Sequence, residues 1–133
     1  MEKQIIATDE APAAVGPYSQ AVQAGDLIYT AGQLGIVPGT KEFAGPDIES
    51  QTRQALENLE AVLKAGKSCL AHAVKMTVFL QDMGEFARMN AVYAEFFPED
   101  PPARSAVQVA ALPLGGRIEI EAVAVTCDCE KGL

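Results

Sequence analysis

The chain runs to 133 residues, 49% hydrophobic and 21% charged, a balance that excludes the disordered and fibrous classes and suits a single domain over 1–133. Its 18 acidic and 10 basic side chains leave a formal net charge of −8, which argues against nucleic acid as a partner, because neutralising phosphates takes clustered Lys and Arg. No apolar run approaches a membrane span, and the opening residues lack the basic cap and apolar core of a signal peptide, so a cytoplasmic protein without membrane contact is expected.

Residues 21–31, AVQAGDLIYTA, read as two short strands around a Gly25-Asp26 turn. Asp47 follows Pro46 as an N-cap, and Ile48, Ala55, Leu56, Leu59, Val62 and Leu63 then recur at helical spacing until Gly66 ends the helix. Residues 73–80, AVKMTVFL, form a strand with Val74, Met76, Val78 and Leu80 on one side and Lys75, Thr77 and Phe79 on the other. Asp82 and Glu85 resemble a capping box opening a second helix, whose stripe is Phe86, Met89, Tyr93, Phe96 and Phe97 and which Pro98 stops. The order β-β-α-β-α-β-β predicts an α+β fold, a two-layer sandwich with two helices on one face of a mixed sheet.

The segment 101–122, PPARSAVQVAALPLGGRIEIEA, carries the most chemistry. It reads as a closing hairpin around a Pro-Gly-Gly turn. Alternation sets Val107 and Val109 against Arg104, Ala106 and Gln108, and Ile118, Ile120, Ala122 and Ala124 against Glu119, Glu121, Val123 and Val125. If both apolar sets share the helix-covered core, Arg104 and Glu119 fall together on the helix-free face. A guanidinium and a carboxylate on neighbouring strands can grip an acid and handle a water beside it. The same residues also fit a solvated ion-pair ladder. The face is mixed, with Val123, Val125 and Ala106 among the charges, and such a surface usually finds a protein partner.

The segments GPYSQAV (16–22), TAGQLG (30–35), VKMTVFLQDM (74–83), MNAVYAEFF (89–97), PPARSAVQVAALP (101–113) and IEIEAVA (118–124) carry a wider resemblance. In that order and spacing the chain, from about 5 to 125, resembles the reactive intermediate (imine) deaminase family. That family is also labelled YjgF-like, or endoribonuclease of the perchloric-acid-soluble type. The resemblance implies a chorismate-mutase-like fold and a homotrimer with clefts between subunits. It implies hydrolysis of 2-imino acids, such as 2-iminobutanoate and 2-iminopropanoate, to 2-keto acids and ammonia. It also places the substrate-clamping arginine on Arg104, the water-positioning glutamate on Glu119, the cleft tyrosine on Tyr18, the close-approach glycine on Gly32 and the helix asparagine on Asn90. No metal or organic cofactor comes with the pattern.

The residue types suit that reaction. Guanidinium binds carboxylate through two parallel hydrogen bonds, and a nearby carboxylate can hold a water and move protons. Each accessory residue also has a plainer role: Tyr18 as a strand tyrosine at a subunit contact, Gly32 as a bulge, Asn90 as a buried polar group beside Phe86 and Tyr93. Glu121, on the same side as Glu119, is expected at the cleft rim or an intersubunit contact. His72 reads as an edge residue.

Ala106 stands where many family members carry cysteine, so no thiol role is implied there. Cys69, Cys127 and Cys129 show no disulfide-scaffold spacing, and Cys127-Asp128-Cys129 lacks a second ligand pair or a nearby histidine for a metal. The tail 126–133 lies beyond the pattern and has no assigned role. Two rival functions remain: a non-catalytic, chaperone-like trimer that binds small carboxylates, which needs Arg104 but not Glu119, and a ribonuclease or translation inhibitor. The latter fits poorly with a pI near 4.5, no tryptophan and few aromatics outside the helix stripe.

Overall fold

The structure, a computed structural model, describes residues 2–127. Two helices pack on one face of a mixed, mostly antiparallel sheet. In chain order the strands are β1 (Lys3–Ile6), β2 (Ala21–Ala24), β3 (Leu27–Thr30), β4 (Gln33–Leu34), β5 (Ala73–Leu80), β6 (Ala103–Gln108) and β7 (Ile118–Val125). The helices are α1 (Ile48–Ala65), between β4 and β5, and α2 (Phe86–Phe96), between β5 and β6. Sheet order is β1-β2-β3-β7-β5-β6, with β4 also pairing β7.

Local signals set most of these elements. Gly25 adopts φ 61 in the two-residue turn between β2 and β3, a conformation that glycine tolerates without steric cost. Asp47 caps α1 by accepting from Ser50 N at 2.9 Å, satisfying one orphan donor of the first turn. Ile48, Leu56, Leu59, Val62 and Leu63 of α1 are wholly buried against Ile28, Met76, Val78, Leu80, Ile118 and Ile120 of the sheet. Full burial of each such side chain stabilises the fold by roughly 1.5–3 kcal/mol before the entropy of ordering is counted.

Several expectations need correction. The closing hairpin does not form, because β5 lies between β6 and β7, pairing β6 in parallel and β7 antiparallel. Two strand spacings of about 4.8 Å must therefore be crossed, and residues 109–117, with a 3-10 turn at Pro113–Gly115, are long enough to do so. Met76 pairs with both Arg104 and Ala122, and Val78 with both Ala106 and Ile120. Since Met76, Val78 and Ile120 are fully buried on the helix side, Arg104 and Ala106 also face the helices, while Val107 points away and is 44% exposed. Glu119 pairs with Phe79 on the helix-free face. The two residues therefore occupy opposite faces of the sheet. An edge strand lies at the margin of the core, so apolar alternation there does not reveal which side is covered.

Smaller departures have local causes. A register shift between Ala73 and Lys75 turns Val74 outward, 46% exposed, and gives its core place to Ala73. Asp82 caps a 3-10 turn (Met83–Glu85) through Gly84 N at 2.8 Å rather than opening α2. Glu85 makes no return bond and instead pairs with Arg117 at 3.0 Å. Strands β1 and β4 lie outside the sequence-based expectation.

Candidate functional site

Arg104 projects from edge strand β6 beneath α2. Its Nη1 donates to Asn90 Oδ1 at 2.7 Å, and its guanidinium carbon lies 4.7 Å from the Tyr93 ring centroid and 5.3 Å from that of Phe86. Asn90, Phe86 and Tyr93 share one side of α2, so helical spacing delivers all three to the same guanidinium. Asn90 is thus both the half-buried polar group and a partner of Arg104. The Tyr93 hydroxyl is buried with no hydrogen-bond partner among the described residues, and burial pushes its pKa up to about 12, against a smaller opposing effect of Arg104.

The four arginines differ in one decisive respect. Arg53 pairs with Glu95 at 3.1 Å, Arg88 with Glu49 at 2.8 Å and Arg117 with Glu85 at 3.0 Å. Arg104 alone has no carboxylate partner among the described residues. In a chain so rich in acid, this guanidinium is positioned by a neutral amide and two rings, and most of its five N–H donors remain available. An open cleft of ≈ 650 Å³ lined by Phe43, Gln51, Leu114 and Arg117 lies elsewhere, and its arginine is already held by Glu85 and the Pro46 carbonyl.

Glu119 occupies the middle of the helix-free face on β7. Between the Tyr29–Val123 and Gln33–Ile120 pairs, the first strand advances four residues and the second three, which is a bulge. Thr30 Oγ1 accepts from Ala122 N at 2.9 Å beside it. Gly32 lies in the bulge, and a Cβ added there would fall 2.5 Å from Glu119 Oε2. The bulge reading of Gly32 holds, and its missing Cβ leaves room for the Glu119 carboxylate. Burial chiefly, and the neighbouring Glu121 charge secondarily, raise the Glu119 pKa above its ordinary 4.5. None of the ion pairs among the described residues engages it.

Tyr18 lies in the irregular segment before β2, not in a strand, and is 50% exposed. Its ring lies near Gly16, and nothing among the described residues ties it to Arg104 or Glu119. Ala106 packs at the core margin beside Arg104. One chain thus presents a guanidinium group, a carboxylate group and a loop tyrosine as three separate parts. Phe86 and Tyr93, expected only as part of a helix stripe, pack with Asn90 against Arg104; their one signal in the sequence is the helical side they share with Asn90.

Residues 8–126 match the family model described as endoribonuclease L-PSP. The chain belongs to that family, which includes the YjgF, RutC and Rid proteins. It is similar to a RutC family protein of Pyrococcus horikoshii, 52% identical over 122 residues that cover 92% of this chain and 97% of that one. It is also similar to the 2-iminobutanoate/2-iminopropanoate deaminase of Bos taurus, 47% identical over 92% of this chain and 90% of that one. Among solved structures, E. coli TdcF with bound serine superposes with a TM-score of 0.89 at 42% identity, covering 93% of this chain and 99% of that one. No helix among the described residues is long and apolar enough to cross a membrane.

Proposed function

We propose that this protein hydrolyses small 2-imino acids, such as 2-iminobutanoate and 2-iminopropanoate, to 2-keto acids and ammonia. The observation that carries the reading is Arg104, the one arginine among the described residues left without a carboxylate and held open by Asn90, Phe86 and Tyr93. A bidentate pair with the substrate carboxylate would fix the adjacent imine carbon, while the flanking rings keep the guanidinium plane from swivelling. The names of the similar deaminases and the serine bound to TdcF support a small amino-acid-like ligand.

Glu119 is the group for the water. Its raised pKa makes it a better proton acceptor than an ordinary carboxylate while leaving it able to return the proton. In the forward direction the water oxygen bonds to the imine carbon and Glu119 takes the proton it sheds. Glu119 passes that proton to the imine nitrogen, giving a neutral carbinolamine; it then takes the carbinolamine hydroxyl proton and passes it to the same nitrogen as the C–N bond breaks, so that the carbonyl forms and ammonia leaves. Free imines already hydrolyse in water, so positioning and modest acid-base help suffice.

Because Arg104 and Glu119 lie on opposite faces of one sheet, a site using both takes them from two chains. The helix-free face suits assembly: Ile5, Val22, Tyr29 and Val123 run across paired strands as a partly exposed apolar row, with Phe79 and Val125 nearby. A homotrimer with three shared clefts, in which Tyr18 from the irregular segment before β2 joins the site and Glu121 lies at the rim, is the assembly this reading calls for. The decisive assay generates 2-iminobutanoate in situ with a threonine dehydratase. Faster keto-acid formation on adding the protein is expected, and no acceleration overturns the reading. The binding-only alternative predicts carboxylate binding without acceleration.

A further inference from the structure

Three side chains far from that site converge where the end of β7 meets the start of β5. Cys69 Sγ, His72 Nδ1 and Cys127 Sγ all lie within 4.8 Å of one another, each half-buried, and Cys69 Sγ is 3.1 Å from His72 Nδ1. No histidine lies near Cys127 in the sequence; its neighbours in space are more than fifty positions away. Residue 129 and its neighbours lie outside the described residues.

The local backbone accounts for the convergence. Cys69 caps the 3-10 turn Leu70–His72, and three residues per turn put positions i and i+3 on one side, so Cys69 and His72 point together. That turn is pinned by His72 N donating to Cys69 O at 3.0 Å and by Leu70 N donating to the Glu60 carboxylate at 2.6 Å. Cys127 is brought alongside because Cys127 N donates to Lys67 O at 2.8 Å, while Ser68 Oγ donates to Val125 O at 2.6 Å. Ligands from two sequence-distant segments are thus held on hydrogen-bonded backbone.

We propose that Cys69, His72 and Cys127 form a zinc(II) site in the reduced chain. Two thiolates and an imidazole are a soft-to-borderline donor set that favours zinc over magnesium or calcium. Tetrahedral zinc spaces such ligand atoms about 3.5–3.8 Å apart, so the observed group needs side-chain adjustment rather than backbone rebuilding. Half-buried ligands leave the fourth position to water or an added donor. Cys127 is disulfide-bonded in this structure, so the oxidised chain withholds one ligand. A dithiol reductant supplies two electrons and two protons to that bond, giving two thiols and an oxidised reductant. Zinc binding then releases the thiol protons of Cys69 and Cys127 to solvent.

The test uses the full chain, reduced with a dithiol, freed of reductant and metal under anaerobic conditions, and titrated with cobalt(II) as a spectroscopic stand-in before competition with zinc. Thiolate-to-cobalt charge-transfer absorption and intense tetrahedral d–d bands at one metal per chain are expected, with zinc displacing the cobalt. Cys69→Ser and His72→Ala should each weaken binding by more than the roughly 10–100-fold typical of losing an outer partner, with unchanged circular dichroism. The oxidised chain should bind far more weakly. Absence of the charge-transfer band overturns the site, as does equal binding by the oxidised chain. Wild-type affinity in both variants would assign the metal to the terminal residues alone and also overturn it.

Discussion

Around Arg104 the neighbours are side chains supplied by α2, whereas around Glu119 the decisive neighbour is a side chain that is missing, at Gly32. The guanidinium is held by an amide at 2.7 Å and two aromatic rings, so its orientation is a product of packing. The carboxylate is accommodated by open space over a bulge and kept partly from water, so its altered proton affinity is a product of burial. Under the proposed function, the first region would aim the substrate and the second would exchange a proton. They should therefore fail differently when altered.

The largest expected effect is on Glu119→Gln, which keeps shape and removes the proton acceptor. Turnover should fall by about a hundredfold or more while a 2-keto acid still binds. Steady-state kinetics with product-binding titration checks both halves, and unchanged turnover would return the function to simple binding. Glu121→Gln under the same conditions should affect assembly more than catalysis. If it instead carried the larger loss, the site would be redrawn around Glu121.

Arg104→Lys comes next. It keeps a positive charge but loses the fork, at a cost of about 2 kcal/mol or more, or roughly thirtyfold in kcat/KM. The fold should be unchanged by circular dichroism. Activity near that of the unaltered chain would remove the clamp.

Stability should move the opposite way to activity at the carboxylate. Burial raises the Glu119 pKa in the folded chain, so folding binds this proton more tightly than the unfolded chain does. The resulting stabilisation is present below the ordinary value of 4.5 and declines as pH rises through the raised value. Glu119→Gln does not titrate, so its melting temperature should exceed that of the unaltered chain at neutral pH and lose this advantage in acid. Melting curves at several pH values decide it.

The smallest effect is a shift in pH profile. Glu121 contributes to raising the Glu119 pKa, so Glu121→Gln should lower it and move the acid limb of the rate profile to lower pH. An upward shift would reverse the assigned coupling.

What the sequence made legible follows the range of the signals. Asp47, Gly66 and the 48–63 periodicity define α1 locally, and Gly25-Asp26 defines its turn. Strand β1, four residues at a sheet edge, and β4, only two, depend on distant partners and leave little local pattern. The candidate site residues are legible only through a resemblance, and their placement is not legible at all. Alternation reports which side chains share a face, and only pairing to Met76 and Phe79 fixes which face it is. The Arg104–Asn90 bond and the cysteine–histidine cluster are tertiary in the same sense.

The opposed placement of Arg104 and Glu119 has a genetic consequence. If each cleft draws its cation from one subunit and its carboxylate from the next, two severely impaired alleles, Arg104→Ala and Glu119→Gln, are not equivalent losses. Refolded together from a common denatured pool, the two chains would form mixed rings in which about a quarter of the clefts receive an intact residue from each side. Activity in that mixture should rise well above that of either variant alone, so the two alleles would complement each other.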